Sequence, residues 1–378
     1  MNIVFVVCFP FPYGSASSMR ARNIYKILEL AGHNVHVIAD YNTTVFNANC
    51  KSFSYEYIYD NMTFLHRRIV PYRCLKRLND YIKKNKVDCL IANARFERFN
   101  MLSEFCKKNK IKYIVENCEW YDYSSFKLGK LNIDYIRNDW MISHNFRKAD
   151  GFISISRLLD EHNKALGVSS VRIPTILDVE NTTFSRKNKG EKIIISYTGS
   201  LGNGKELLHP MISCLAENEE FANNIEFHIY GPSEKEILTN ISGQTNLLEK
   251  TRNCIFIHGR IPQNEVNNIL ESTDYLFFMR PQRRSSDAGF PTKLGESFAA
   301  GTPVITNNTG DIGLYVKNGI NGFVISEKNK IADILDEIIK LNNSDYMLLR
   351  KNARNTAETY FDYRKYVNSI EKITGNNK

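Results

Sequence analysis

No stretch of this 378-residue sequence approaches the roughly 20 consecutive apolar residues that cross a bilayer, which argues against a membrane-spanning helix. The opening MNIVFVVCFPFPYGS is apolar only briefly before Pro10 and Pro12 break it. It has no basic leader and no small-residue cleavage pattern, so it reads as a first core strand of a cytoplasmic chain and not as a signal peptide. None of the eight cysteines forms a CxxC pair, and Cys8 and Cys89 lie inside apolar runs. That spacing points to scattered buried thiols in a reducing compartment and away from a disulfide framework or a zinc site. No Gly-Lys-Ser/Thr follows the Walker A spacing and no GxGxxG is present, which excludes those two phosphate-binding fingerprints.

What is present has the composition of a globular protein, 43% hydrophobic and 24% charged, and its length suits two domains. The net charge of +9 is uneven. Residues 1–180 hold 26 Lys and Arg against 18 Asp and Glu, and the stretch 66–112 alone holds 14 against 4. A field concentrated on one half fits an anionic partner such as a membrane surface or a lipid pyrophosphate, or else a lysine-rich solvated face.

The chain alternates buried-strand and helical segments. NIVFVVC (2–8) and VHVIA (35–39) flank a helix-period segment carrying Ile24, Ile27, Leu28 and Leu30, the order of a βαβ unit. A basic helix (74–86), a strand (87–92), a helix (97–109), a strand (112–116), a helix (134–148) and a strand (151–156) continue the series. Ser185 to Lys192 has linker composition. Six further strand-like runs follow, at 192–199, 225–231, 254–259, 274–279, 302–306 and 322–325. The expectation is an α/β protein of two doubly wound, Rossmann-like domains, residues 1–180 and 181–359.

Ligands of parallel sheets sit at the carboxyl ends of strands, beside helix N-termini. Three loops fit that place. PYGSASSMR (12–20) is rich in small residues. TGSLGNGKELL (198–208) combines free amides with Lys205, a pairing suited to a diphosphate. In GFPTKLGESFAAGTPVIT (289–306), Thr292 falls near a helix start and Lys293 and Glu296 follow. A carboxylate one turn into such a helix can accept both hydroxyls of a ribose while the helix amides hold phosphate oxygens.

Taken together, these stretches resemble glycosyltransferase family 4, whose retaining enzymes have the GT-B fold, over most of the chain. The likeness is strongest over 289–306 and is supported by TGSLGNGK (198–205), HIYGPSE (228–234), FIHGRIPQNEVNNILESTDYLFF (256–278) and AGHNVHVIA (31–39). It implies two domains facing each other across a cleft, with the helix 360–378 packing back on the N-terminal, acceptor-binding domain. By position, Glu296 corresponds to the glutamate that holds the donor ribose and Lys205 to the lysine on the donor diphosphate. Gly199 and Ser200 belong to that diphosphate loop. Gly231, Arg260 and Ile261 fall where the nucleoside base is held, and Pro291, Thr292 and Lys293 fall near the donor phosphates and sugar. Gly14 and Ser15 lie where the N-terminal loop approaches the donor sugar.

The sequence departs from the family at three places. The first of the usual glutamate pair is Ala288, with Asp287 as a neighbouring substitute; Ser200 stands where an arginine is usual, with Arg280, Arg283, Arg284 or Lys293 to supply the charge. ENCEWYDY (116–123) replaces a usual histidine and offers Glu119 as a donor-sugar or acceptor contact. The candidate catalytic set is Glu119, Lys205 and Lys293, of which Glu119 comes from the departure in the loop 116–123. The resemblance also implies no cofactor beyond the nucleotide-diphosphate sugar donor and a saccharide or lipid-linked acceptor in cell-surface polysaccharide assembly, such as capsule or O-antigen. No DxD pair stands out in a loop, so the expectation is a metal-independent reaction. Arg20, Lys76, Arg77, Lys83 and Lys84 are the candidate acceptor or membrane contacts. The last four flank the stripe Leu75, Leu78 and Ile82, which suits peripheral binding to an anionic membrane at its inner face or packing on the sheet. The rival readings are a GT-B-fold nucleotide-sugar epimerase, which needs no acceptor face, and a non-catalytic anion- or nucleic-acid-binding protein suggested by the basic charge. The loop 280–306 has no purpose in a nucleic-acid binder, so nucleic acid is not expected as a partner.

Overall fold

The structure is a computed structural model that describes residues 1–42, 52–60, 63–184, 188–202 and 204–375. The chain divides into two units. The first is Met1–Leu177 with Ala288–Phe290 and Tyr363–Lys378; the second is Asp178–Asp287 with Pro291–Asp362.

In the first unit, seven strands form one parallel sheet: β1 (Asn2–Phe11), β2 (Asn34–Asn42), β3 (Tyr55–Tyr59), β4 (Cys89–Asn93), β5 (Lys112–Asn117), β6 (Gly151–Ser154) and β7 (Ser170–Arg172). Their order is β3-β2-β1-β4-β5-β6-β7, so the direction of winding reverses between β1 and β4. Both faces are covered, which is why β1 reads as an unbroken apolar run. Ile3, Phe5 and Val7 pack on one face with Ile24 and Leu28 of the helix Ala16–Leu30 and with Ile370 and Ile373 of the helix Val367–Thr374. Val4 and Val6 pack on the other with Leu78, Phe99 and Phe146.

Several elements differ from the sequence reading, among them β7, which was not read as a strand, the helix read over 134–148, which ends at Ser143, and the terminal helix read over 360–378, which is Val367–Thr374. The strand β3 was not anticipated; YEYIY sits at the sheet edge, where only Ile58 and Tyr59 are buried. The basic helix is Phe64–Ile82, not 74–86, and it places Val70, Cys74 and Leu78 in the core at four-residue spacing. Its apolar stripe is therefore committed inward. Leu78 is 1% exposed, and Leu75 and Ile82 pack against the same core.

The second unit has a six-stranded parallel sheet, β8 (Ile193–Thr198), β9 (Ile225–Tyr230), β10 (Ile255–Gly259), β11 (Tyr275–Phe278), β12 (Val304–Asn307) and β13 (Gly322–Ile325), in the order β10-β9-β8-β11-β12-β13. The six runs read from the sequence all fall on these strands. Of the segment with linker composition, residues 185–187 lie outside the described residues. Lys189 donates to the carbonyls of Ile339 and Leu341 at 2.6 Å each, closing the carboxyl end of the helix Ile331–Lys340.

A buried polar network ties this sheet to the helix Asn343–Tyr360. The Asp274 carboxylate, at the entrance to β11, accepts from the Ile194 amide at 2.7 Å and the Tyr346 hydroxyl at 2.6 Å. Arg350, wholly buried, donates to the Thr273 carbonyl at 2.8 Å and to Tyr346 at 3.2 Å. Removing that guanidinium leaves the buried Thr273 carbonyl and the Tyr346 hydroxyl without their charged donor. Arg350→Met is expected to lower unfolding stability by about 2–4 kcal/mol, measured by denaturant titration with the wild-type chain as reference.

Candidate functional site

The carboxyl ends of β8, β9 and β10 are joined backbone to backbone. The Gly199 amide donates to the Tyr230 carbonyl at 3.0 Å, and the Gly231 amide donates to the Gly259 carbonyl at 2.7 Å. Gly199 and Gly231 have φ of +116° and +115°, and a Cβ on Gly231 would lie 2.1 Å from the Gly199 carbonyl oxygen. Only glycine permits this approach. The turns expose Gly199 and Ser200 and lead into the loop whose Lys205 amide donates to the Leu201 carbonyl at 3.1 Å. Arg260 and Ile261 follow Gly259, the former exposed and the latter half-buried.

Opposite this glycine layer, the helix Thr292–Ala299 begins after Pro291, which is the N-cap and supplies no side-chain hydrogen bond. Thr292 is thus the first helical residue and not the cap. Lys293 is 8% exposed. Its Nζ lies 4.0 Å from the centre of the Tyr197 ring and 3.5 Å from Glu206 Oε1, and it makes no hydrogen bond among the described residues. The second carboxylate oxygen of Glu206 is likewise unmatched there. The site thus holds a buried cation whose donors are not spent. Burial pushes the Lys293 ammonium down from the usual lysine range, Glu206 pulls it back up, and Arg280 pushes it further down. One turn on, half-buried Glu296 accepts from Gln263 Nε2 at 3.2 Å. Burial raises its carboxyl, and the charge of Lys293 opposes the rise.

The second unit therefore brings Gly199, Ser200, Lys205, Gly231, Pro291, Thr292, Lys293 and Glu296 to one end of its sheet. Neighbouring side chains have other duties. Asp287 accepts from the Gly310 amide at 2.8 Å, and Ala288 is fully buried. Arg280 donates to the Ser286 carbonyl at 3.1 Å and Arg283 to the Gly204 carbonyl at 2.7 Å, so both support the loops. Sequence reasoning missed Glu206 and Tyr197. The alternation Ile193, Ile195, Tyr197 on a strand was the available signal for Tyr197; Glu206 carried none.

In the first unit, Gly14 has φ +122° and the Ser15 hydroxyl caps the helix Ala16–Leu30 by accepting from the Ser18 amide at 3.1 Å. Arg20, expected at an acceptor or membrane surface, is instead 6% exposed. It donates to Glu116 Oε1 at 2.6 Å and to the carbonyls of Pro174 and Ile173, because a buried carboxylate needs a buried partner. Asn93 Nδ2 and the Cys118 thiol donate to the same carboxylate. Glu119 is exposed in the loop after β5. Lys76, Arg77, Lys83 and Lys84 are exposed, with Arg77 3.8 Å from Glu56 and Lys83 3.9 Å from Asp80. Among the described residues, no group of three or more His, Cys, Asp or Glu side chains converges as a metal site would.

Residues 178–359, which include most of the second unit, match the family model "Glycosyl transferases group 1". A UDP-Gal:alpha-D-GlcNAc-diphosphoundecaprenol alpha-1,3-galactosyltransferase of Escherichia coli is 29% identical over 112 residues, a match that spans 29% of this chain and 27% of that protein's length. Among solved structures, Anabaena HepE in complex with UDP and glucose superposes with a TM-score of 0.72 at 14% identity, over 100% of both chains. A sucrose-phosphate synthase of Thermosynechococcus elongatus reaches 0.77 at 11% identity, over 99% of this chain and 98% of the other. With the two parallel-sheet units, these likenesses establish a GT-B fold of two Rossmann-like domains.

The glycine layer makes a direct prediction. Gly231→Ala forces a side chain into the Gly199 carbonyl at a positive φ and is expected to cost about 1–3 kcal/mol or more, read as a lowered melting temperature. Gly243→Ala, also at positive φ but with no atom within 4 Å of the added Cβ, is the control and is expected to cost less.

Proposed function

We propose that the protein is a retaining, family 4-type glycosyltransferase that moves a hexosyl unit from a nucleoside-diphosphate sugar to a lipid-linked saccharide in cell-surface polysaccharide synthesis. The observation that carries this reading is the Lys293 ammonium, buried with unspent donors between a glycine layer and a helix start. A diphosphate supplies the distributed negative charge that such a place lacks. The group 1 domain, the UDP and glucose held by the Anabaena neighbour and the lipid-diphosphate acceptor in the name of the E. coli relative support the same class.

In this scheme the bond from the sugar C1 to the diphosphate oxygen breaks as the acceptor hydroxyl attacks from the same face. The acceptor proton passes to the departing diphosphate. Charge grows on that leaving group, where Lys293, Lys205 and the amides of Thr292 and Lys293 stabilise it. Glu296 accepts the ribose hydroxyls, and Gly231, Arg260 and Ile261 border the base. Glu119 is assigned to the acceptor or donor sugar. The lysines and helix amides take the part that a divalent ion plays elsewhere, so transfer proceeds with chelator present.

Thermal shift against UDP-, GDP-, ADP- and TDP-sugars in EDTA tests this. One nucleotide at about 100-fold excess over its Kd raises the melting temperature by about 5 °C or more. Glu296→Ala abolishes the shift. No shift with any of the four overturns the reading, and conversion of the donor to an epimer without acceptor replaces it with an epimerase.

Donor affinity is also expected to fall at both pH extremes. The Glu296 carboxyl is raised above its ordinary 4.5, so affinity drops as acid protonates it, and Glu296→Gln removes that limb. Lys293 is lowered below its ordinary 10.5, so affinity drops as alkali neutralises it. Glu206→Gln removes the neighbouring negative charge and moves the alkaline limb to lower pH. A limb that this substitution leaves in place belongs to the nucleotide.

A further inference from the structure

One face of β9 and β10 is open to solvent, although parallel sheets are ordinarily covered on both sides. Every second residue of β9 is buried, but Glu226, His228 and Tyr230 between them are partly exposed. On the edge strand β10, Phe256 and His258 are exposed. Phe256 lies directly across from His228, and the register then slips between Ile257 and Gly259. His258 is the residue at the slip, a place where a strand re-aims a side chain. Its ring meets two neighbours on β9: Tyr230, with ring centres 4.2 Å apart, and His228.

The two imidazoles face each other nitrogen to nitrogen. His228 Nδ1 and His258 Nε2 are 2.9 Å apart, the ring planes differ by 9° and the ring centres are 5.2 Å apart. On its other side, His228 Nε2 lies 3.4 Å from Glu226 Oε2. A carboxylate accepts, so Nε2 carries the His228 proton and Nδ1 carries the lone pair that receives His258 Nε2–H. Partial desolvation and the facing His228 hold the His258 imidazole below its ordinary 6.5, which keeps it uncharged near neutral pH. Uncharged imidazole is the form that ligates metal ions.

We propose that His228 Nδ1 and His258 Nε2 together bind one imidazole-seeking divalent cation, of the class of zinc, copper or nickel, and that the ion clips the edge strand β10 to β9. Magnesium and calcium prefer oxygen ligands and are not taken. Tetrahedral zinc with bonds of about 2.0–2.1 Å holds two nitrogens about 3.3 Å apart, so the rings part by roughly 0.4 Å from their present 2.9 Å. The proton of their hydrogen bond passes to His258 Nδ1, both rings stay neutral, and water completes the coordination. Glu226 is a positioning residue that holds His228 in the ligating tautomer. The clip lies one residue before Gly259, whose carbonyl accepts from the Gly231 amide, and steadies that part of the glycine layer. It takes no part in the proposed transfer reaction and does not rest on it.

The full chain, stripped with EDTA and dialysed, is titrated calorimetrically with Zn²⁺ and with Mg²⁺. Wild type is expected to take up one more equivalent of Zn²⁺ than His258→Gln, and no Mg²⁺ at that site. At about 100-fold excess over its Kd, Zn²⁺ raises the wild-type melting temperature by about 5 °C. His258 is exposed, so in EDTA the variant is expected to melt with wild type. Glu226→Gln keeps both ligands and is expected to weaken that equivalent about tenfold. The electron paramagnetic resonance spectrum of bound Cu²⁺ is expected to show coupling to two imidazole nitrogens in wild type and to one fewer in His258→Gln. Equal zinc uptake and affinity in wild type and His258→Gln overturns the proposal, as does a Cu²⁺ spectrum that the substitution leaves unchanged. Because donor binding is measured in EDTA, failure of the metal clip and failure of the transferase reading are separate results.

Discussion

Keeping the Lys293 ammonium out of water is the constraint on which the working end of the second unit depends. Desolvating an ion costs several kcal/mol unless its surroundings return the interaction. Here the return comes from the face of Tyr197, whose quadrupole attracts a cation, and from the Glu206 carboxylate 3.5 Å away. Both partners depend on the backbone. Tyr197 faces Lys293 because β8 alternates its side chains, and Gly199 leaves the space a side chain would fill, with Lys293 Nζ 3.6 Å from where its Cβ would be. Gly231 in turn must lack a Cβ for the Gly199 turn to lie against it.

The first unit solves the same problem at the carboxyl ends of its own strands, with the signs exchanged. Glu116, at the end of β5, is 5% exposed and draws donors from Arg20, Asn93 and Cys118. Arg20 then spends its remaining donors on the carbonyls of residues 173 and 174, tying β5, the first helix and the chain beyond β7 into one network. This charge pair is satisfied internally, whereas the Lys293 pair is not. That difference in unspent hydrogen-bonding capacity is the physical ground for the proposal that an anionic donor group binds beside Lys293.

The basic character of the first half divides in a similar way between structure and surface. Lys76, Arg77, Lys83 and Lys84 lie on a helix whose apolar side is already packed, so they decorate a solvated face. The cations of 127–148 share a segment with exposed apolar side chains that the core does not use. Charge alone could not separate the two, because a basic amphipathic helix has the same composition whether its stripe faces a sheet or a lipid.

Local pattern by itself determined the architecture. Runs such as NIVFVVC and KIIISYTG are apolar without alternation because parallel strands are covered on both faces, and that signal needs no knowledge of distant residues. It fails at β3, where YEYIY is half-exposed at an edge, and at the start of the Phe64–Ile82 helix. The glycines of TGSLGNGK and the segment PTKLGE were also visible as candidates, because a turn before a helix is written in adjacent residues. Only the tertiary structure decided what each charge does. It buried Arg20 against Glu116, spent Asp287 on Gly310 and set Glu206 beside Lys293, pairs separated by 96, 23 and 87 positions. Pairing across such distances is fixed by how the helices pack on the sheet, and no periodicity records it.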